Sequence, residues 1–200
     1  MTELPHPASS RPLIWLDIDG VVKANRSPDH SYRGYRRVVI SDAQWSGEVL
    51  YRTAVVRAVN RAAASGIEVR WISMWGGNAR RLLGPALGFA DFAVATAIAS
   101  EHGVPELGAR SVQWWKVQAM EQASAAEPER PMLWIDDSMS ADLLQHWKIP
   151  ARLSLLTVAG HRGLNRRDLA VLARWCRHPQ QQILPTGATG HPAGITRSRP

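Results

Sequence analysis

Short apolar runs alternate with amphipathic stretches along most of the chain, and each pattern predicts a different kind of element. The apolar runs are rich in β-branched and aromatic residues, which predicts strands at residues 13–16, 67–73, 91–96, 132–139 and 152–158. Alanine-rich or amphipathic stretches predict helices at residues 53–65, 78–83, 111–126, 143–147 and 166–177. This alternation indicates an α/β fold with a Rossmann-like, doubly wound and mainly parallel sheet.

One segment departs from the alternation of strands and helices. Residues 36–52 contain two short apolar runs on either side of a turn rich in Ser, Asp and Gly, which predicts a hairpin. Between the first strand and the first helix there is room for this hairpin only. We therefore expect a short flap at this point of the fold.

An acidic pair follows the first predicted strand. Asp17 and Asp19 come directly after residues 13–16, where a buried charge is costly. Residues i and i+2 of a strand share a face, so both carboxylates are expected to point the same way as the chain turns at Gly20. The alternative is structural, since aspartate and glycine often end a strand in a turn.

A second acidic pair repeats this pattern later in the chain. Asp136 and Asp137 end the apolar run at residues 132–135, and Ser73 ends the run that begins at residue 67. Ligand sites of parallel sheets lie beyond the carboxyl ends of the strands, so these side chains and the first pair are expected to meet there. The four acids would repel one another unless a cation lies between them.

Magnesium is the cation that best fits this set. It prefers oxygen ligands and keeps several waters, so it needs few carboxylates and leaves room for a phosphate. Phosphoryl transfer also needs donors and positive charge around the phosphate oxygens. Ser73, at a strand end, and Lys116, in the first turns of a predicted helix, could supply them.

Composition narrows the class of protein. The 200 residues are 45% hydrophobic and 20% charged, which is typical of a globular domain. Cys176 is the single cysteine, so no internal disulfide is possible and a reducing cytoplasmic compartment is expected. The sequence contains neither a secretory signal nor an apolar run long enough to span a membrane, so no membrane association is expected. We predict a flexible N-terminus over residues 1–11, one domain over 12–177 and a disordered tail over 178–200.

The net charge of +7 is unevenly distributed. One basic cluster lies in or next to the predicted flap and comprises Lys23, Arg26, Arg33, Arg36 and Arg37. A second cluster comprises Arg162, Arg166 and Arg167. Such clusters favour a polyanionic partner such as nucleic acid, although solvated basic faces would give the same pattern.

The four motifs, taken in order, resemble those of the haloacid dehalogenase (HAD) superfamily. They are "DIDGV" at residues 17–21, Ser73 in "WISMW", Lys116 in "WWKVQ" and "WIDDS" at residues 134–138. The tryptophan-flanked forms, with "GLNRRDLAVLARW" near the end, are similar to a small HAD-like domain found in bacterial and phage RNA repair proteins.

The resemblance implies a role for each motif residue. Asp17 would be the nucleophile that forms an aspartyl-phosphate, and Asp19 the general acid and base. Ser73 and Lys116 would bind the phosphate. The Mg2+ ligands would be Asp17, the backbone carbonyl of Asp19, Asp136 and Asp137, and which of the last two binds directly stays open.

The resemblance also bears on the substrate. HAD enzymes take their specificity from cap insertions, and neither insertion point here has room for a full cap domain, so a macromolecular phosphate such as a nucleic-acid end could reach the site. Possible substrate contacts are Lys23, Arg26, Arg36, Arg37, Trp45 and Trp75. Two alternatives remain: a nucleic-acid-binding or repair-complex module with little phosphatase activity, and a phosphatase for nucleotides or sugars.

Overall fold

The computed structural model describes residues 11–42, 46–95, 111–139, 143–144 and 147–184, with side chains of the helix at 111–126 described from residue 115 onward. Five parallel strands form the central sheet: β1 (Leu13–Leu16), β4 (Glu68–Trp71), β5 (Ala93–Val94), β6 (Met132–Asp136) and β7 (Leu153–Thr157). Their spatial order is β5-β4-β1-β6-β7, so β1 and β6 are adjacent at the centre. The predicted parallel α/β sheet is confirmed.

Helices cover both faces of the sheet. They are α1 (Thr53–Ala64), a π-helix (Ala79–Leu83), α2 (Gly84–Leu87), α3 (Ser111–Ala126) and α4 (Arg166–Arg177). Asn165 caps α4 by accepting hydrogen bonds from the first-turn amides, and Asp168 completes the capping box. Within the described ranges, no helix has the length and apolar character that a membrane span needs.

Alternate residues of the central strands build two separate cores. In β1, Ile14 and Leu16 pack in the core that α1 and α4 cover, whereas Leu13 and Trp15 pack in the core that α3 covers. The same alternation occurs along β6. A strand that is buried on both faces reads as a continuous apolar run, which explains why β1 contains no polar residue.

A two-stranded antiparallel hairpin is inserted between β1 and α1. Its strands are β2 (Arg36–Ser41) and β3 (Ser46–Tyr51), and β2 contacts the π-helix and α2. The predicted flap hairpin is confirmed. Residues 43–45 lie outside the described ranges, and the possible substrate contact at Trp45 lies there with them.

The structure departs from the sequence prediction at three places. The helix predicted at 78–83 is a π-helix, in which Gly84 N donates to Ala79 O, and it continues into α2, whose first turn accommodates Pro85. The strand predicted at 91–96 is only two residues long in the described part of the chain. Beyond residue 178, Ile183 accepts a hydrogen bond from Leu155 N (2.7 Å), so part of the predicted tail packs against β7.

Arg130 joins three segments at the amino end of the sheet. Its side chain is 2% exposed and donates to Glu68 Oε2 (2.5 Å), to Glu127 Oε1 (2.8 Å) and to the backbone carbonyl of Arg11 (2.7 Å). Burial raises the pKa of Glu68, but the hydrogen bonds and charges of Arg130 and Arg70 outweigh it and hold that pKa below its usual range. The sheet is therefore fastened at the edge opposite the acidic pairs.

We predict that Arg130→Met lowers the free energy of unfolding at pH 7 by about 2 kcal/mol, because Glu127 and a backbone carbonyl lose this partner and Glu68 loses one of its two arginines. The difference from wild type should shrink as the pH falls below about 4, since the depressed pKa of Glu68 contributes stability only while that carboxylate is ionised. Urea denaturation of wild type and variant, at pH 7 and at a pH below about 4, measures the two differences in the free energy of unfolding. Arg152→Met removes an exposed arginine that pairs with Glu129 and should change stability by less than about 0.5 kcal/mol; equal effects of the two substitutions would contradict the assignment.

Candidate active site

Three carboxylates converge where the two central strands end. Asp17 follows β1 directly, Asp136 is the last residue of β6, and Asp137 comes next. One oxygen from each of the three lies within 4.8 Å of the others. Asp136 is fully buried and Asp17 nearly so, which means that water cannot compensate their charge.

Lys116 projects from α3 into this group. Its Nζ lies 2.8 Å from Asp17 Oδ2 and 2.6 Å from Asp136 Oδ2. Asp136 also accepts hydrogen bonds from Trp134 Nε1 (3.1 Å) and from the amide of Ser138 (2.8 Å). Burial lowers the pKa of Lys116, but the two carboxylates outweigh it and raise that pKa, so the ammonium stays charged.

The acids remain undercompensated despite Lys116. Burial, with Asp136 as the second cause, raises the pKa of Asp17 to about 7. The same two causes raise the pKa of Asp137. The single ammonium of Lys116 cannot neutralise three carboxylates, so the cluster keeps a net negative charge that a further cation could compensate. Carboxylate oxygens are ligands that divalent cations such as Mg2+ prefer.

Asp137 lies in a space that two glycines make. A Cβ added to Gly20 would lie 1.9 Å from Asp137 Oδ2, and one added to Gly160 would lie 2.2 Å from it. Gly20 also has a φ of +72°, which other residues rarely adopt. The amide of Asn25 donates to the same oxygen (3.3 Å). The sequence did not predict the contacts of Asn25 and Gly160 with Asp137. For Gly160 the signal was a glycine in the loop after the last strand, and for Asn25 there was none.

Asp19 does not share the surroundings of Asp17. Its Oδ1 pairs with Lys23 Nζ (2.5 Å), and its Oδ2 accepts a hydrogen bond from Trp75 Nε1 (2.8 Å). The two carboxylates thus have different partners, and β1 ends at Leu16, before either of them, where the chain turns. Asp19 borders a cavity of about 310 Å³ with Lys23, Met74, Trp75 and Asn78.

Ser73 lies at the same edge of the sheet. It is buried two residues after β4, and Ile72 N donates to Leu16 O (3.0 Å), so the β1–β4 pairing continues up to it. The structure thus brings Ser73 beside the turn that carries Asp17 and Asp19.

Most of the predicted basic contacts have acidic partners. Arg26 and Arg37 both pair with Glu48 on β3, and Lys23 pairs with Asp19. Arg36 is exposed at the start of β2. The two basic regions adjoin, because Tyr35 donates to the backbone carbonyl of Arg162 (2.7 Å).

The comparisons with known proteins agree with this geometry. Residues 13–169 match the family described as "HAD domain in Swiss Army Knife RNA repair proteins". The chain belongs to this family. No curated protein matches it.

As a HAD domain, the protein has the parallel α/β sheet that the motif order implied. HAD domains generally use a divalent metal, and the cluster of Asp17, Asp136 and Asp137 has the donor atoms for one. The carboxylate of Asp19 is engaged by Lys23 and Trp75 instead.

We predict that Gly160→Ala lowers the affinity of the protein for Mg2+ or Mn2+ by at least ~10-fold, because the added methyl group displaces the Asp137 carboxylate. Isothermal titration calorimetry measures the affinity, and circular dichroism checks the fold. Gly77→Ala is the matched control, since a Cβ at Gly77 meets open space. Unchanged affinity in a folded Gly160→Ala protein would contradict the role of this glycine.

We also predict that cation affinity rises with pH between 6 and 8. Below pH 7 the metal-free protein carries a proton on Asp17 for much of the time, and a cation must displace it. One displaced proton gives up to ~10-fold in affinity per pH unit below that pKa. Titration calorimetry in buffers of different ionisation enthalpy counts the released protons, and a pH-independent affinity without proton release would refute the prediction.

Proposed function

We propose that this HAD domain is a Mg2+-dependent phosphatase that removes a phosphate from a nucleic-acid end through an aspartyl-phosphate on Asp17. The observation that supports the proposal most directly is the buried carboxylate of Asp17. Its Oδ2 lies 2.8 Å from Lys116 Nζ, and it forms a cluster with Asp136 and Asp137. A carboxylate held beside fixed positive charge can attack phosphorus while the charge on the phosphate is compensated.

The residues that would hold Mg2+ are Asp17, Asp136 and Asp137, with the backbone carbonyl of Asp19. When bound, Mg2+ supplies positive charge that polarises a phosphoryl oxygen and reduces the repulsion between carboxylates. Lys116 keeps Asp17 and Asp136 in place through its two ion pairs. Ser73, buried at the end of β4, would donate its hydroxyl to a phosphate oxygen.

The reaction has two steps. In the first, an oxygen of Asp17 attacks phosphorus, the bond to the leaving oxygen breaks, and Asp19 gives that oxygen a proton. In the second, Asp19 takes a proton from water, the resulting hydroxide attacks the aspartyl-phosphate, and Asp17 and inorganic phosphate are released. Asp19 therefore enters the first step protonated and is protonated again after the second, and Lys23 and Trp75 contact its two oxygens.

A nucleic-acid end is the substrate that three features favour. The matching family is found in RNA repair proteins. Exposed arginines lie on the hairpin and on the adjoining loop after β7, where they would attract phosphates. In the described ranges, the segment between β1 and α1 adds only a loop and a hairpin, which would leave the site accessible to a large substrate.

The two alternative functions fit the site less well. A binding module gains nothing from burying Asp17, Asp136 and Lys116, whose desolvation is costly. A phosphatase for free nucleotides or sugars has no need of exposed basic segments. Both alternatives are outcomes of the experiment below.

We predict that the wild-type protein with Mg2+ releases phosphate from 3′- or 5′-phosphorylated oligonucleotides and that Asp17→Asn reduces kcat by at least ~1,000-fold. The screen includes an aryl phosphate, mononucleotides and phosphopeptides, and phosphate release is measured with a colorimetric assay. Asp91→Asn is the matched control, since this exposed acid pairs with Arg80 and should leave activity unchanged.

Absence of release from every substrate, or equal activity of Asp17→Asn, would refute the phosphatase. Turnover of mononucleotides in preference to oligonucleotides would favour the metabolite phosphatase. If phosphates beyond the scissile one contact the arginines, kcat/KM for oligonucleotides falls steeply with salt, whereas kcat/KM for the aryl phosphate does not.

A further inference from the structure

The cavity beside Asp19 is lined by different residues from those of the acidic cluster. In the described part of the chain its walls comprise Asp19, Lys23, Met74, Trp75 and Asn78, and its volume is about 310 Å³. Asp19 is the residue that connects it to the reaction, because Asp17, Asp136 and Asp137 do not form its lining. The cavity therefore lies on the side of the acid and base, away from the acidic cluster.

The chemistry of phosphate transfer assigns an occupant to this side. The group that protonates the leaving oxygen must contact it, so the leaving group lies next to Asp19. We propose that this cavity binds the nucleobase of the terminal nucleoside, which is the leaving group of the reaction. This inference rests on the proposed function and adds a binding site for the base.

The apolar wall of the cavity suits a flat aromatic ring. Met74 is 43% exposed, although large apolar side chains are usually buried, and Trp75 packs partly against the core. The hydrogen bond from Trp75 Nε1 to Asp19 places the indole edge beside that carboxylate. Because the indole and the polarisable thioether of Met74 both line the cavity, they offer it aromatic and apolar surface on which any nucleobase can stack.

The polar wall suits the edge of a base and the nucleic-acid backbone. Asn78 Oδ1 accepts a hydrogen bond from Arg81 (2.7 Å), which leaves the amide NH2 group as the donor that the side chain can present. Every nucleobase has acceptors on its edge. Lys23, which is paired with Asp19, lines the same wall. A cavity of this size is at the lower end of small-molecule sites, which span roughly 300–1,000 Å³, so it suits one base.

The test compares two oligonucleotides that differ only at the phosphorylated end, where one carries a normal nucleoside and the other an abasic sugar. For wild type we expect kcat/KM to be about tenfold higher with the base present, in line with the contribution of one stacked base. Met74→Ala and Asn78→Ala should reduce this ratio towards one by lowering kcat/KM for the base-ended substrate alone. Leu184→Ala removes a partly exposed leucine elsewhere and is the matched control.

Trp75 separates binding from positioning. Trp75→Phe keeps a ring face but loses the donor to Asp19, so it should lower kcat for both substrates and retain the base preference. Trp75→Leu loses the ring face and the donor, so it should lower kcat for both substrates and abolish the preference for the base-ended one. Equal rates of wild type on both substrates, equal effects of Met74→Ala on both, or a higher kcat/KM for phosphopeptides would overturn the proposal.

A binding measurement distinguishes this proposal from the proposed function. With Asp17→Asn, fluorescence anisotropy should show tighter binding of the base-ended oligonucleotide than of the abasic one, and Met74→Ala combined with Asp17→Asn should abolish the difference. If wild type releases no phosphate from any substrate, the phosphatase fails, and this binding difference alone decides whether the cavity takes a base. Equal binding of the two oligonucleotides would overturn the cavity assignment.

Discussion

The structure of the site depends on one electrostatic constraint, which is the burial of two carboxylates, Asp17 and Asp136, with a single ammonium between them. Their desolvation costs far more than the surface ion pairs of this protein can return, so they are tolerated only because Lys116 lies within 3 Å of both. Lys116 comes from α3, Asp17 from the end of β1 and Asp136 from β6. The two central strands must therefore be paired and the helix packed against them before the charges are compensated.

The chain then separates two tasks that the sequence places two residues apart. Asp17 is buried among charges, whereas Asp19 is partly exposed and held by Lys23 and Trp75. The end of β1 at Leu16 makes this possible, because a continued strand would have turned both side chains to the same face. In the proposed reaction, this difference lets Asp17 act on phosphorus while Asp19 protonates the leaving oxygen.

Sequence patterns predicted the features that depend on local periodicity. The buried strands, the hairpin and the acids at the strand ends follow from apolar runs and their interruptions. The sequence offered Lys116 as a candidate phosphate ligand and the family resemblance gave it a motif, but its burial between two carboxylates was not predictable, because a lysine on a helix is usually solvated. The space around Asp137 could not be predicted, since it depends on where the loop with Gly160 runs after β7. The hydrogen bond from Trp75 to Asp19 could not be predicted either, although Trp75 is among the possible substrate contacts.

The glycine contacts of Asp137 have a consequence for the order in which the protein is made. Synthesis delivers Asp17 before Lys116 and the second acidic pair, and Gly160 later still. A nascent chain that stops before the loop after β7 carries the three acids of the cluster and the lysine, but it lacks the second of the two walls that confine Asp137. The acidic cluster therefore reaches its final surroundings only once nearly the whole fold has been synthesised.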